Sequence, residues 1–358
     1  MRAAVLKAYN PVPSAAAVSV VSDFPIPRPK PGEIIVKVAR AACNPGDVKI
    51  VEGGVPRFIF NPKLPVSIGI DFAGVVYDIP FGSESGDLRV GDRVCGLTEV
   101  IDGQSGAFAE YVACKPKSLC KIPSDFSFDE AAAMPLVSNC ARAAVIKAKL
   151  EPGHNFLVFG GSSAIGLLSM AMAKDIGCKQ IVCTSTAERL CKSFGATKVI
   201  NYREVDPVKV LTVGADEPQF DRSFDTAQGY GAWLAAKKLV KKSGWHSTIV
   251  IDDPKAPPHV TSSVKTIVGI ACSALGRAIA GSCCGGPGYS FLALKGGDTP
   301  TNVKYFISLR QSGVMPSILD SSVGPFSFDT EGVVAMLQKQ QSGSCKGKLV
   351  VNICPEMT

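Results

Sequence analysis

Phe156-Leu157-Val158-Phe159-Gly160-Gly161-Ser162-Ser163-Ala164-Ile165-Gly166, running on into Leu167-Leu168-Ser169-Met170-Ala171-Met172, is the stretch whose reading decides the fold. An apolar run of strand length meets a pair of glycines, and apolar residues resume beyond them as a helix. A strand that turns this tightly into a helix aims backbone N–H groups and the positive end of the helix at one point, the arrangement that holds a pyrophosphate. Gly160, Gly161, Ser162, Ser163, Ala164, Ile165 and Gly166 are therefore candidate phosphate contacts, with Gly166 permitting close packing of helix on strand. Ser163 stands where G-x-G-x-x-G has its middle glycine. Its side chain narrows the space for a phosphate, yet its hydroxyl can donate to one. An ordinary strand–turn–helix corner is the alternative reading.

Working outward, a βαβ alternation extends from this turn: strand 155–159, helix 164–176, strand 180–184, helix 187–194 and strand 198–201. Strands at Ser223–Thr226 and Ser247–Ile251 follow, with helix Ala232–Lys241 between them. Such alternation predicts a doubly wound parallel sheet of the α/β class. A dinucleotide-binding unit of this kind usually carries an Asp or Glu at the end of its second strand, to hold the ribose 2′-OH. Here that end reads Cys183-Thr184-Ser185-Thr186, with no acid before Glu188. The hydroxyls of Thr184, Ser185 and Thr186 suit a 2′-phosphate, which favours NADPH over NADH, and Arg189 and Arg203 are the nearest cations. Ser185-Thr186-Ala187-Glu188 also reads as a capping box for the next helix.

Residues 1–125 have a different texture, with short β-type runs such as Ile34–Val38, Ala73–Tyr77 and Arg93–Leu97 among Pro and Gly. They predict a barrel-like β domain. The domains expected are 1–125, 126–262 and a segment 263–358 that supplies helix Thr301–Ser312 and a last strand, Lys348–Ile353. The long Gly-rich region 253–300 is a candidate lid or substrate wall.

Composition narrows the function classes. Hydrophobic residues at 46% and charged residues at 19% exclude global disorder. The net charge of +7 is scattered along the chain and aromatic residues are 7%, so no nucleic-acid face is expected, although the field favours an anionic ligand. The 13 cysteines sit largely in apolar runs without a C-x-x-C, and His154, His246 and His259 are far apart. They read as reduced, buried thiols rather than a disulfide scaffold or zinc site, and no metal is expected. With no signal-type block at the N-terminus, a cytoplasmic location is expected. The most apolar stretch, Val264–Cys284, is broken by Lys265 and Arg277 and reads as a packed or cleft-lining helix rather than a membrane span.

An ordered set of motifs resembles one family over nearly the whole chain. Pro31-Gly32-Glu33-Ile34-Ile35-Val36-Lys37-Val38 is followed by Asn44-Pro45-Gly46-Asp47-Val48-Lys49, similar to N-P-S-D-x-K, then Gly69-Ile70-Asp71-Phe72-Ala73-Gly74-Val75-Val76, Val90-Gly91-Asp92-Arg93-Val94 and Gly106-Ala107-Phe108-Ala109-Glu110-Tyr111-Val112. Ala131-Ala132-Ala133-Met134-Pro135, the glycine turn, Gly195–Tyr202 and Gly347-Lys348-Leu349-Val350-Val351 complete it. The set is similar to the medium-chain dehydrogenase/reductases in their zinc-free quinone oxidoreductase branch. The later part of the chain looks like the reticulon-interacting-protein group and the fungal trans-acting enoyl reductases. The resemblance implies a GroES-like β-barrel domain, a Rossmann domain and a C-terminal return to the first. Asn44 and Gly69-Ile70-Asp71 stand where zinc-dependent relatives have Cys and Gly-His-Glu.

By the same resemblance Asn44, Asp47 and Lys49 line the nicotinamide side of the cleft: Asn44 hydrogen-bonds substrate or nicotinamide, and Lys49 contacts the ribose or stabilises enolate charge. A plain turn at Asn44-Pro45 and a surface pair of Asp47 with Lys49 are the alternatives. Cys140 and Tyr202 are carried over as cofactor contacts, and Ala227 and Ile251 fall at the ends of later strands. The proton donor is open among Lys49, Arg57 and water. Without a metal to polarise a carbonyl, hydride transfer from NADPH to a quinone or to the C=C of an α,β-unsaturated carbonyl is the expected reaction. The alternatives are an enoyl reductase acting in trans on carrier-bound chains and a non-catalytic NADPH-binding or structural protein. A homodimer pairing sheet edges near 247–270 is the expected assembly.

Overall fold

The computed structural model describes residues 1–53, 63–83, 85–98, 106–214, 217–250, 269, 272–279, 286–292 and 297–357. The chain begins with β1 (Ala3–Leu6), β2 (Val18–Val21), β3 (Ile34–Cys43), α1 (Pro45–Glu52), β4 (Val66–Ser67), β5 (Asp71–Asp78), β6 (Arg93–Leu97), β7 (Tyr111–Cys114), β8 (Leu119–Lys121), α2 (Phe128–Ala132) and α3 (Pro135–Lys147). A βα series follows: β9 (Asn155–Phe159), α4 (Ala164–Ile176), β10 (Gln180–Thr184), α5 (Glu188–Ser193), β11 (Lys198–Ile200), α6 (Pro207–Thr212), β12 (Phe220–Asp225), α7 (Tyr230–Leu239) and β13 (Val240–Thr248). Helix α8 (272–279), β14 (Gly288–Phe291), α9 (Thr299–Gln311), β15 (Phe326–Ser327), α10 (Thr330–Gln341) and β16 (Leu349–Asn352) complete it. Two compact units result: Met1–Asn139 with Gly296–Phe306 and Ser317–Thr358, and Cys140–Lys295 with Ile307–Pro316. Their boundaries fall inside α3 and α9, whereas the sequence texture divides near 125 and 262.

In the first unit a seven-stranded sheet is built around β3, whose ten residues are buried at all but one position. β3 pairs with β5 on one side, Ala42 opposite Asp71, and with β16 on the other, Cys43 opposite Leu349. This register brings Asn44, Asp71 and Lys348 to the same end of three adjacent strands. A smaller sheet, β2-β1-β4, completes the β domain.

The second unit is a six-stranded, wholly parallel sheet in the order β11-β10-β9-β12-β13-β14. Counted from β9 the order is 3-2-1-4-5-6, the doubly wound arrangement. Phe159 lies level with Thr184 and Asp225, and Asp225 with Thr248, so the strands end together along one rim.

Two expectations are corrected here. The strand expected at Ser247–Ile251 begins at Val240, directly after α7, and its described extent ends at Thr248. Lys241, Lys242 and Gly244 conceal it in the sequence, because Lys241 is held there by Asp221 at 2.6 Å and Gly244 lies against the Asp221 carbonyl, where a side chain would not fit. β13 is not the sheet edge either: β14 pairs beside it, Thr248 opposite Phe291, so Ser247 and Thr248 cannot offer a free edge. The rest of the expected 247–270 edge, apart from 249, 250 and 269, lies outside the described residues.

Candidate functional site

In the first unit, β3 delivers Asn44 to the start of α1 at 1% exposure, and its side chain bonds across the neighbouring strand ends. Asn44 Nδ2 donates to Asp71 Oδ2 at 3.0 Å, and Asn44 Oδ1 accepts from Lys348 Nζ at 2.6 Å. Lys348 also donates to Asp71 Oδ2 at 2.9 Å, while Asp71 Oδ1 accepts from the Leu136 amide at 3.0 Å. The two charged side chains are 4% and 0% exposed. Such a pair is held by its geometry and hydrogen bonds, since desolvation alone disfavours it.

Asp47, also fully buried, reaches back from α1 to accept the Asn44 amide at 2.7 Å through Oδ2, whereas its Oδ1 has no hydrogen-bond partner. Burial pushes this carboxyl up to about 7, outweighing the Asn44 amide and the Lys348 charge, which both pull it down. Cys43 beside it is likewise raised, by burial first and by Asp47 second. Lys49 faces away: half-exposed, it pairs with Glu52 at 2.7 Å, and Glu52 also accepts from Gln341 at 2.9 Å. Asp47 and Lys49 are thus not a surface pair. The structure joins Asn44 and Asp47 to Asp71 and Lys348, two residues the site reading did not single out. Their signal was a charge set against apolar residues, Asp71 between Ile70 and Phe72 and Lys348 directly before Leu349-Val350-Val351.

In the second unit the glycine turn is built from backbone. Gly160 has φ +83°, and a Cβ there would lie 2.5 Å from Thr226 Oγ1 and 2.7 Å from Ala227 Cβ. Its amide donates to Thr184 Oγ1 at 3.1 Å, and the Gly161 amide to the Thr184 carbonyl at 3.0 Å. Gly166 brings α4 so close that a Cβ would meet the Gly160 carbonyl at 2.6 Å. Ser163 is the N-cap of α4: its Oγ accepts from the Gly166 amide at 3.0 Å and pairs with Thr226 Oγ1 at 2.9 Å. The departure from glycine therefore has a structural reason. The amides of Ala164 and Ile165, in the first turn of a thirteen-residue helix, have no acceptor within it.

Along the same rim, Asp225 is consumed by its own turn, accepting from the amides of Ala227, Gln228 and Gly229 at 2.7–2.9 Å and from Thr248 Oγ1 at 2.8 Å. Thr184 is fully buried and faces Gly160. Ser185 accepts from the Ala187 amide at 3.0 Å, and α5 begins after Ala187 without a side-chain cap, so the Ser185/Glu188 capping box does not form. Glu188 instead pairs with Lys192 at 2.8 Å. Thr186, Arg189, Tyr202, Arg203 and Ala227 are exposed, and Cys140 is buried in α3. Ile251 and Arg57 lie outside the described residues. Among the described residues no group of three or more His, Cys, Asp or Glu could hold a metal ion, and no helix is long and apolar enough to cross a membrane.

A nucleotide-type βα sheet and a β domain in one chain define the class, and comparison with known proteins gives the family. Residues 30–124 match the alcohol dehydrogenase GroES-like domain and residues 164–285 the zinc-binding dehydrogenase domain, together more than half of the chain. The chain belongs to the medium-chain dehydrogenase/reductase superfamily. It is 29% identical to the 2-methylene-furan-3-one reductase of Solanum lycopersicum over 97% of this chain and 78% of that one. It is 29% identical to the trans-enoyl reductase milB of Cordyceps militaris over 70% of this chain and 71% of that one. In fold it is similar to the Escherichia coli quinone oxidoreductase complexed with NADPH, with a TM-score of 0.75 and 20% identity over 98% of this chain and 100% of that one.

Proposed function

We propose that the chain is an NADPH-dependent, zinc-independent reductase that transfers hydride to a quinone or to the C=C bond of an α,β-unsaturated carbonyl. The observation that carries this reading is the turn Gly160–Gly166 followed by a β10 end without a carboxylate. The turn fits a dinucleotide: the Ser163 side chain is turned inward, and the Ala164 and Ile165 amides remain as donors for the pyrophosphate. At the next strand end, exposed Thr186 and Arg189 suit a 2′-phosphate, with Tyr202 and Arg203 after β11. The reductase and quinone oxidoreductase relatives support the same reaction class. When bound, the cofactor supplies the hydride. The chain's own residues supply position and field: Lys348 and Asp71 lock Asn44, and Asp47 keeps a proton near neutrality.

Zinc independence is supported by the donor set. The carboxylate Asp71 already faces an ammonium, Asn44 offers an amide, and burial keeps the Cys43 thiol protonated. Fluorescence titration with both nucleotides tests the cofactor reading: NADPH is expected to bind at least tenfold tighter than NADH, and the reverse preference overturns it. A second reading, reduction of carrier-bound enoyl chains, is favoured by the likeness to milB. Turnover of a carrier thioester but not of free quinones or enones would establish it. A reducing compartment, the cytoplasm, is proposed on the eleven free cysteines among the described residues. Self-association is proposed through β14, which has β13 on one side only among the described strands; light scattering showing a monomer removes it.

A further inference from the structure

We propose that Cys183 and Cys191 are a redox modification site, a dithiol that closes to a disulfide beneath the glycine turn and lowers affinity for the dinucleotide phosphates. The last clause rests on the cofactor reading above; the disulfide itself does not. The two sulfurs meet under Gly161: a Cβ built there would lie 2.6 Å from Cys183 Sγ and 3.3 Å from Cys191 Sγ. Only glycine fits that position, and it is the thiols that fill the space. The two thiols thus border the same point beneath the turn. The neighbouring Cys183 thiol and Ser185 hydroxyl hold the Cys191 thiol below its ordinary range, while Cys183 is raised by Cys191 beside it and by burial.

Both cysteines are fully buried, but they are not equally anchored. Cys183 lies within the sheet, on β10. Cys191 is the one buried residue of the six-residue helix α5, which otherwise carries Glu188, Arg189, Lys192 and Ser193 on the surface. Half-buried Leu190 and buried Phe194 at its C-cap also hold α5, but a six-residue surface helix opens more readily than a central strand, and opening exposes the more acidic thiol of the pair. The pair lies eight positions apart in sequence, and its sulfurs, which border the same point under Gly161, must close to about 2.05 Å.

The oxidant class is a hydroperoxide. Cys191 thiolate attacks one peroxide oxygen, the O–O bond breaks, and the departing oxygen takes a proton as alcohol or water, leaving a sulfenic acid on Cys191. Cys183 then gives up its proton, its sulfur attacks that of Cys191, and hydroxide leaves as water. Two thiols and one hydroperoxide become one disulfide, one alcohol and one water. The new bond ties α5, which carries Arg189, to the end of β10, and it moves both sulfurs from under Gly161.

The test treats the full-length protein with hydrogen peroxide, alkylates the remaining thiols and maps peptides without reduction. Trypsin cuts after Lys179, Arg189 and Lys192, so Cys183 lies on Gln180–Arg189 and Cys191 on Leu190–Lys192, and only a disulfide keeps the two together. The expected result is this linked pair, lost on adding dithiothreitol, with an NADPH dissociation constant raised about tenfold on oxidation and restored on reduction. Neither change is expected in Cys191→Ser or, should that variant fold poorly, in Cys183→Ala. Oxidation confined to other cysteines, such as Cys95 and Cys120, which oppose each other across β6 and β8, overturns the site. A quantitative link with unchanged NADPH affinity overturns its effect on the turn. Reduced protein that binds no NADPH refutes the cofactor reading alone, because the peptide map still decides whether the disulfide forms.

Discussion

The two units bury polar side chains where their strands end, and they do so by opposite means. The first hides charge: Lys348 and Asp71 are both buried, each is satisfied by the other and by Asn44, and Asp71 also accepts from the Leu136 amide. The second hides mostly neutral groups, and its buried strand-end carboxylate, Asp225, is satisfied by three backbone amides and Thr248 rather than by a counter-ion. Ser163 and Thr226 hydrogen-bond each other, and they and Thr184 bond the backbone around the glycine turn. His246, fully buried between Trp233, Tyr289 and Phe159, bonds the Ser223 hydroxyl through Nδ1 at 2.8 Å and is held neutral. A charged cluster fixes its strand ends strongly and tolerates no missing partner. A neutral one can lose a member at modest cost, and it leaves backbone amides facing outward for a ligand.

The largest effect should follow from breaking the charged cluster. Lys348→Met removes the counter-ion from Asp71 and leaves a carboxylate fully buried, a change that costs about 3–5 kcal/mol. The double variant Lys348→Met with Asp71→Leu should recover at least half of that loss, because no bare charge remains. Urea unfolding of the three proteins measures it. A single variant that loses under about 1 kcal/mol would show that the pair does not pin the three strands, and the contrast between the units would collapse.

The same contrast explains what was legible in the sequence. The parallel sheet was readable because its strands are apolar runs and its helices start at recognisable turns, so β9, α4 and β10 stand where the pattern puts them. β14 was not, since Gly288-Tyr289-Ser290-Phe291 is four residues long and its partner is β13, more than forty residues back in the chain. The turn residues could be picked out because their spacing is local. Asp71 and Lys348 could not be paired, because only the register of β3 with β5 and β16 makes them neighbours. The roles of the serines and threonines were the least legible: a hydroxyl reads alike whether it faces a phosphate or a helix amide, and Ser163 and Thr184 face inward.

A second prediction sets the units against each other by pH. His246 is lowered to about 3 by burial, with Arg277 adding to it, against an ordinary 6.5. Below pH 6.5 the unfolded chain binds a proton that the folded one refuses, so stability falls with pH, by about 2 kcal/mol between pH 7 and pH 5. Asp47 has the opposite sign. Its folded value of about 7 exceeds the ordinary 3.8, so the fold keeps a proton that the unfolded chain releases, and stability falls as pH rises through 7. From pH 5 to pH 7 that loss is again about 2 kcal/mol. Both tryptophans, Trp233 and Trp245, lie in the second unit, so fluorescence-detected unfolding should give a lower midpoint at pH 5 than at pH 7. Hydrogen exchange of the β3 amides should show the first unit better protected at pH 5. His246→Asn should flatten the first slope and Asp47→Asn the second; parallel slopes in the two units would contradict the assignment.

The smallest effect decides what faces a ligand at the turn. Ser163→Ala removes the cap on Gly166 and the contact to Thr226, which costs about 1 kcal/mol of stability. If the dinucleotide is held by the Ala164 and Ile165 amides, this variant frees one more N–H, that of Gly166, at the same helix end. NADPH affinity should then stay within about threefold of the parent while the unfolding midpoint drops. A hydroxyl that bound phosphate directly would give the reverse, an unchanged midpoint with affinity down more than tenfold. That reverse result would place the serine outward, as a ligand, and would remove the distinction between a unit that presents side chains and one that presents backbone.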